Sequence, residues 1–155
     1  MRSNAEGTAC NTLVGMDPAF TDPFLVAVQT AATTDPQAIL HTVYGAIIQG
    51  DFDTFSESLT EDVEMSVCGF GPMDGTWKGR KEVVEATRRN FSLVASQQPE
   101  IEGMIAQGDS VAILLRETGT LRATGENYRI RAVQWFTFAG GKLKRIDEVA
   151  ASLAK

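Results

Sequence analysis

The stretch GDFDTFSESLTEDVEM, Gly50 to Met65, decides how the chain is read. It sets six carboxylates close together: Asp51, Asp53, Glu57, Glu61, Asp62 and Glu64. A metal site would need several of them to converge on one point, and the EF-hand spacing is absent. The local pattern gives each a simpler task. Gly50 stops a preceding helix. Asp51 caps a short second helix with Phe52, Phe55 and Leu59 on its apolar stripe. Asp53 lies in the first turn, where the helix dipole favours a carboxylate. Glu57 falls off the stripe and faces water. Glu61–Asp62 turn the chain into a strand, in which Glu64 alternates against Val63, Met65 and Val67. The stretch is therefore read as caps and solvated faces, with no metal site.

Upstream, Asp35–Pro36 is a cap followed by a proline at the first helical position. Ile39, Leu40, Val43, Ile47 and Ile48 then recur at helical spacing. Residues 1–34 are separate in composition, rich in Thr, Ala, Asn and Asp and interrupted by Pro18 and Pro23. They read as a flexible N-terminal arm, and 35–155 as one domain. Downstream, CGFGPMDGTWKG reads as a loop. A third helix is expected from about Arg80 to Ala95, with Val83, Val84, Thr87, Phe91 and Val94 on one side. After Pro99 the period changes. Ile101–Ala106, Val111–Leu121, Tyr128–Phe138 and Leu143–Ala150 read as strands joined by hairpin turns. Helices followed by a run of antiparallel strands indicate an α+β fold, three helices on one face of a curved sheet.

The 155 residues suffice for a single core, and 43% apolar with 22% charged residues is ordinary for a globular chain. A net charge of −6 argues against a nucleic-acid partner. Cys10 and Cys68 match no metal or disulfide framework and are expected as free thiols in a reducing compartment. No apolar run approaches the roughly 20 residues that span a bilayer, and no secretory signal is evident, so a cytoplasmic location is expected.

Three segments resemble one family. GDFDTFSESLTEDVEM resembles the helix, Gly-Asp, short helix, turn and strand passage of the NTF2-like superfamily, in its SnoaL-like and ketosteroid-isomerase-like branch. GTWKGRKEVVEATRRNF is similar to that family's entry into the third helix, and WFTFAGGKLKRIDEVA to its last hairpin. The resemblance spans about residues 35–150 and implies a cone-shaped α+β barrel around an apolar pocket. It also implies a homodimer paired through the outer sheet face. Val133 and Trp135 on that face would supply the apolar contact. The isomerase machinery itself does not carry over. Its base falls at Val67, and its two oxyanion donors at Val43 and Gln134. Tyr44 stands one residue from the tyrosine position, about 100° around the helix.

Strand parity selects candidates for the pocket. On the strand from Tyr128, Gln134 faces inward with Tyr128, Ile130, Ala132, Phe136 and Phe138. On the last strand the family register sends Ile146, Glu148 and Ala150 inward. On the strand from Val111 it sends Ala112, Leu114, Arg116 and Thr118 inward, leaving Val111, Ile113 and Leu115 outside. Glu148 would then be a proton carrier raised by burial, a base lowered beside Arg116, or one half of a satisfied ion pair with Arg116. His41, the sole histidine, is either a proton shuttle or an exposed residue at the stripe's margin. Glu148, His41, Arg116 and Gln134 are the catalytic candidates. Tyr44, Val67, Trp77, Phe91, Tyr128, Phe136 and Ile146 are the expected ligand-contacting residues. Phosphate-loop and serine-nucleophile signatures are missing, and no cofactor is expected. Two functions follow. One is cofactor-free acid–base chemistry on a small apolar molecule: isomerisation, cyclisation, dehydration or hydrolysis. The other is a noncatalytic ligand-binding or dimerisation module.

Overall fold

The structure, a computed structural model, describes residues 35–153. The arm expected over 1–34, with Cys10, lies outside the described residues. The order of elements is α1 (Pro36–Gln49), α2 (Phe52–Glu57), β1 (Leu59–Cys68), β2 (Gly75–Lys78), α3 (Arg80–Ser92), β3 (Val94–Gln107), β4 (Ser110–Leu121), β5 (Asn127–Ala139) and β6 (Lys142–Ser152). This is an α+β fold of three helices and a six-stranded sheet in the order β2-β1-β6-β5-β4-β3. The sheet is open, with β2 and β3 as its edges. Only the β1–β6 pairing is parallel.

Most of the acidic stretch performs the tasks its pattern assigns, but Glu61 and Asp62, expected as a turn, already lie within β1. The Asp51 carboxylate accepts from the Thr54 backbone N–H at 3.0 Å and its hydroxyl at 2.6 Å, capping α2. Glu61 pairs with Arg80 at 2.7 Å, and Glu64 with Lys78 at 3.2 Å. Among the described residues no three His, Cys, Asp or Glu side chains gather as metal ligands. Asp35 caps α1, accepting from the Gln37 N–H at 2.9 Å. Gly50 ends that helix at φ 72°, a conformation that strains a side chain.

The core lies between the helices and one face of the sheet. Leu40 and Val43 of α1, Phe55 of α2 and Val83 of α3 meet Leu59, Val63, Val111, Ile113 and Leu143 of the strands. Among the described residues no helix is long and apolar enough to cross a membrane.

Four boundaries differ from the sequence reading. Leu59 opens β1 rather than closing α2. The glycine-rich loop contains β2, paired to β1 with Trp77 opposite Met65. The third helix stops at Ser92, and Val94 already belongs to β3. Pro99 lies inside β3, opposite Glu117. It is tolerated because β3 is an edge, where a missing N–H costs no ladder bond on the free side.

The fifth difference decides the site. On β4, Val111, Ile113, Leu115 and Glu117 are buried against the core, at 0%, 1%, 3% and 6% exposure. Ala112, Leu114, Arg116 and Thr118 occupy the other face. The expected parity of this strand is thus reversed. Ile113 pairs directly with Gln134 across β4 and β5, and directly opposed residues share a face. Once Gln134 faces inward, Ile113 must do so too. β5 and β6 keep the expected faces: Ile130, Ala132, Phe136 and Phe138 are buried, as are Ile146 and Ala150.

The outer face carries two apolar rows. Ile105, Ala112 and Trp135 form one, and Leu114, Val133 and Val149 the next, running on to Cys68. Ile105, Trp135, Val133 and Val149 are 73%, 48%, 45% and 58% exposed. Cys68 is an exposed free thiol.

Candidate functional site

A cavity of about 640 Å³ opens between the inner sheet face and the helices. Its wall is mostly apolar: Val43 of α1, Phe55 of α2, Val67 of β1, Phe91 of α3, Leu115 of β4, Phe136 of β5 and Ile146 of β6. The polar lining from the sheet includes Gln97, Glu117, Gln134 and Glu148. Tyr44 enters from α1.

Glu148 stands directly opposite Gln134 on one side and Val67 on the other. The Tyr44 hydroxyl donates to Gln134 Oε1. That fixes the amide so that its N–H₂ serves Glu148, whose carboxylate takes a hydrogen bond from Gln134. Burial pushes the Glu148 carboxyl up to about 7; the Gln134 hydrogen bond pulls it down, and the charge of Glu117 adds to the rise. A carboxyl poised near neutrality both gives and takes a proton at physiological pH. Burial chiefly, and then the charges of Glu148 and Glu117, hold the Tyr44 phenol well above its ordinary value, so it remains a donor.

Glu117 is the second carboxyl. Gln97 Nε2 donates to it at 2.8 Å and the Tyr128 hydroxyl at 2.7 Å. Burial raises its pKa, and the Tyr128 and Gln97 hydrogen bonds oppose the rise. Tyr128 is itself pushed up by burial, by its bond to Glu117 and by that group's charge. Arg122 lies at the rim, with Nε on the Ser92 carbonyl at 3.0 Å and Nη2 on the Val94 carbonyl at 2.9 Å.

The structure gathers Glu148, Gln134, Tyr44, Val67, Phe91, Phe136 and Ile146 around the cavity. Val43 and Tyr44 both line it despite their turn of about 100° on the helix, because the cavity is broad on the α1 side. Tyr128 stands behind Glu117 and orients it rather than forming the wall. Trp77 is on β2, away from the cavity, with the Arg89 guanidinium 5.5 Å from its ring centre. His41 is half-buried on α1 and outside the cavity wall, since the turn that buries Leu40 and Val43 rotates it to the margin.

Arg116 is the clear correction. It lies on the outer face, bonded to Glu102 at 2.6 Å, while Arg131 holds the other Glu102 oxygen at 2.7 Å. The expected Glu148–Arg116 pair therefore does not form. Glu117, its neighbour in sequence, takes the inward place. The available signal was apolar alternation: Val111, Ile113 and Leu115 make a more apolar stripe than Ala112, Leu114 and Arg116.

The profile of the SnoaL-like domain family matches residues 40–146, most of the chain. The chain belongs to the SnoaL-like family. That family is a branch of the NTF2-like superfamily, and solved structures agree on the fold. An NTF2-like protein from Burkholderia xenovorans LB400 is 21% identical, with 77% of this chain and 91% of that one covered and a TM-score of 0.66. An epoxide hydrolase of the LEH-like type from M. tuberculosis is 17% identical over 73% of this chain and 80% of that one, TM-score 0.59. TerC, co-crystallised with polyporic acid, is 20% identical over 73% and 88%, TM-score 0.61. No curated protein matches by sequence. At these identities the SnoaL-like likeness extends to fold alone.

Proposed function

We propose that the sheet curls as a cone around a ligand pocket in which this SnoaL-like protein performs cofactor-free acid–base chemistry on a small, mostly apolar molecule. The reaction class is isomerisation, cyclisation, dehydration or hydrolysis. One observation carries the reading: Glu148 enters an apolar cavity with its pKa raised to about 7, aligned by Gln134, which Tyr44 fixes in turn. Glu148 moves the proton, Gln134 orients it, and Tyr44 spends its one O–H on Gln134 Oε1, which holds the amide in place. With Val67 at the isomerase base position, that proton shuttle runs from β6 rather than from β1.

The test is a screen of ketones, epoxides and hydroxy-ketones of cavity size, followed by Glu148→Gln on whichever substrate turns over. The variant is expected to lose about 10²–10⁴-fold in kcat with KM little changed. Full activity in the variant discards Glu148 as the proton carrier. Ligand binding without turnover in the wild type would favour the noncatalytic module.

The outer rows of Trp135, Val133 and Val149 support a homodimer through that face. Trp135→Glu is expected to shift sedimentation from dimer to monomer; a wild type that stays monomeric at micromolar concentration rejects the interface.

A further inference from the structure

Glu117 and Glu148 enter one cavity with neutral partners only. Gln97 and Tyr128 bond Glu117, and Gln134 bonds Glu148. Among the described residues neither is in an ion pair, and the one cation lining the cavity, Arg122, is engaged by two backbone carbonyls at its rim. Neutral donors leave the negative charge of a buried carboxylate uncompensated, and two such groups repel each other.

We propose that the occupant of this cavity supplies the missing charge: a small organic amine, its ammonium group on Glu148 in the field of Glu117 and its apolar body against Phe91, Leu115, Phe136 and Ile146. The inference rests on the pocket reading above and adds the sign of the ligand's charge. An ammonium carries three N–H donors, so it can bond Glu148 directly while the charge of Glu117 adds to its attraction. Tyr44 and Phe136 meet edge to face, with ring centres 6.2 Å apart, and present aromatic surface where a cation is attracted. A bare metal ion fits less well, because two carboxylates without a third ligand do not complete a coordination sphere and the space of about 640 Å³ is far larger than an ion.

The charge predicts a pH dependence. The groups facing Glu148 are Tyr44 from α1, Gln134 from β5 and Glu117 from β4, with Gln97 and Tyr128 behind Glu117, uncharged Thr87 and Asn90 from α3, and Arg122 at the rim. A cation favours the ionised carboxylates, so it binds more tightly as pH rises through about 7 and releases a proton on binding.

Calorimetry on the full chain with 2-phenylethylammonium, 2-phenylethanol and 3-phenylpropanoate, at about pH 6 and about pH 8, tests this. The amine should bind at least about tenfold more tightly than the alcohol at the higher pH. Its affinity should rise between the two pH values, and its heat should vary with the ionisation enthalpy of the buffer. Glu117→Gln and Glu148→Gln should each weaken the amine about tenfold and cut its preference over the alcohol. Should either variant fail to fold, proton release by the wild type decides. Equal binding of alcohol and amine overturns the charge selection and leaves the pocket reading standing. Preference for 3-phenylpropanoate overturns it likewise. Binding of none of the three overturns this inference and the pocket reading together.

Discussion

Asp147 and Glu148 are neighbours on β6, and Arg116 and Glu117 on β4, yet the two faces of the sheet treat them in opposite ways. On the outer face Asp147 accepts from Arg145 at 2.6 and 3.2 Å, and Arg116 shares Glu102 with Arg131. Each charge there has an opposite charge and water. One residue along, Glu148 and Glu117 meet only an amide or an amide and a phenol, in an apolar cavity. Strand parity alone sets one carboxylate against arginine and water and the next into an apolar cavity.

The difference can be broken most forcefully in the packing. Ile113 is 1% exposed on the inner face, while Leu114 beside it is half-buried on the outer one. Ile113→Ala should cost roughly 2–5 kcal/mol in urea unfolding, and Leu114→Ala about 1 kcal/mol. A reversed order would return β4 to the opposite register and remove Glu117 from the cavity.

The next effect is electrostatic. Glu148 titrates near 7 in the fold against an ordinary value of 4.5. A carboxyl raised by folding binds its proton more tightly when folded. Its contribution to stability is therefore fully present below about pH 4.5 and lost as pH rises through about 7. The shift corresponds to about 3 kcal/mol in a dry site; water entering the cavity reduces this to roughly 1–3 kcal/mol. Glu148→Gln should flatten the decline in stability between about pH 5 and about pH 8, leaving the smaller slope from Glu117, which has the same sign. An unchanged slope in the variant would mean that Glu148 ionises freely, as an outer-face carboxylate does.

The same contrast explains what could be read from residues alone. Caps and glycine stops placed α1 and α2, because Asp35, Asp51 and Gly50 act on their immediate neighbours. The faces of β5 and β6 followed from the family register at Gln134 and Ile146, carried along each strand by its alternation. Local patterns were weaker elsewhere. β2 has four residues, too few for a period of two to emerge from a glycine-rich loop. β3 was cut short at Pro99 because a proline excludes a central strand, and nothing local reveals that this strand is an edge. The inward turn of Glu117 depends on the Ile113–Gln134 pairing across a hairpin, a tertiary fact. A charged residue in the buried row of an apolar strand breaks the pattern that defines the row, which is why the second carboxyl of the site was missed.

The smallest expected effect is the most diagnostic of the outer face. Arg116 is 43% exposed at its side chain, and its partner Glu102 keeps Arg131 at 2.7 Å when Arg116 is removed. Arg116→Ala should therefore cost no more than about 0.5 kcal/mol in urea unfolding, and less in high salt. Had Arg116 been the inward partner of Glu148, its loss would strand a buried carboxylate and cost roughly 3–5 kcal/mol. The pH slope of stability separates the two arrangements again: an outer Arg116 leaves it untouched, whereas an inner one would steepen it by freeing Glu148 to rise. A near-silent substitution with an unchanged slope fits only the outward arginine, and hence the inward Glu117.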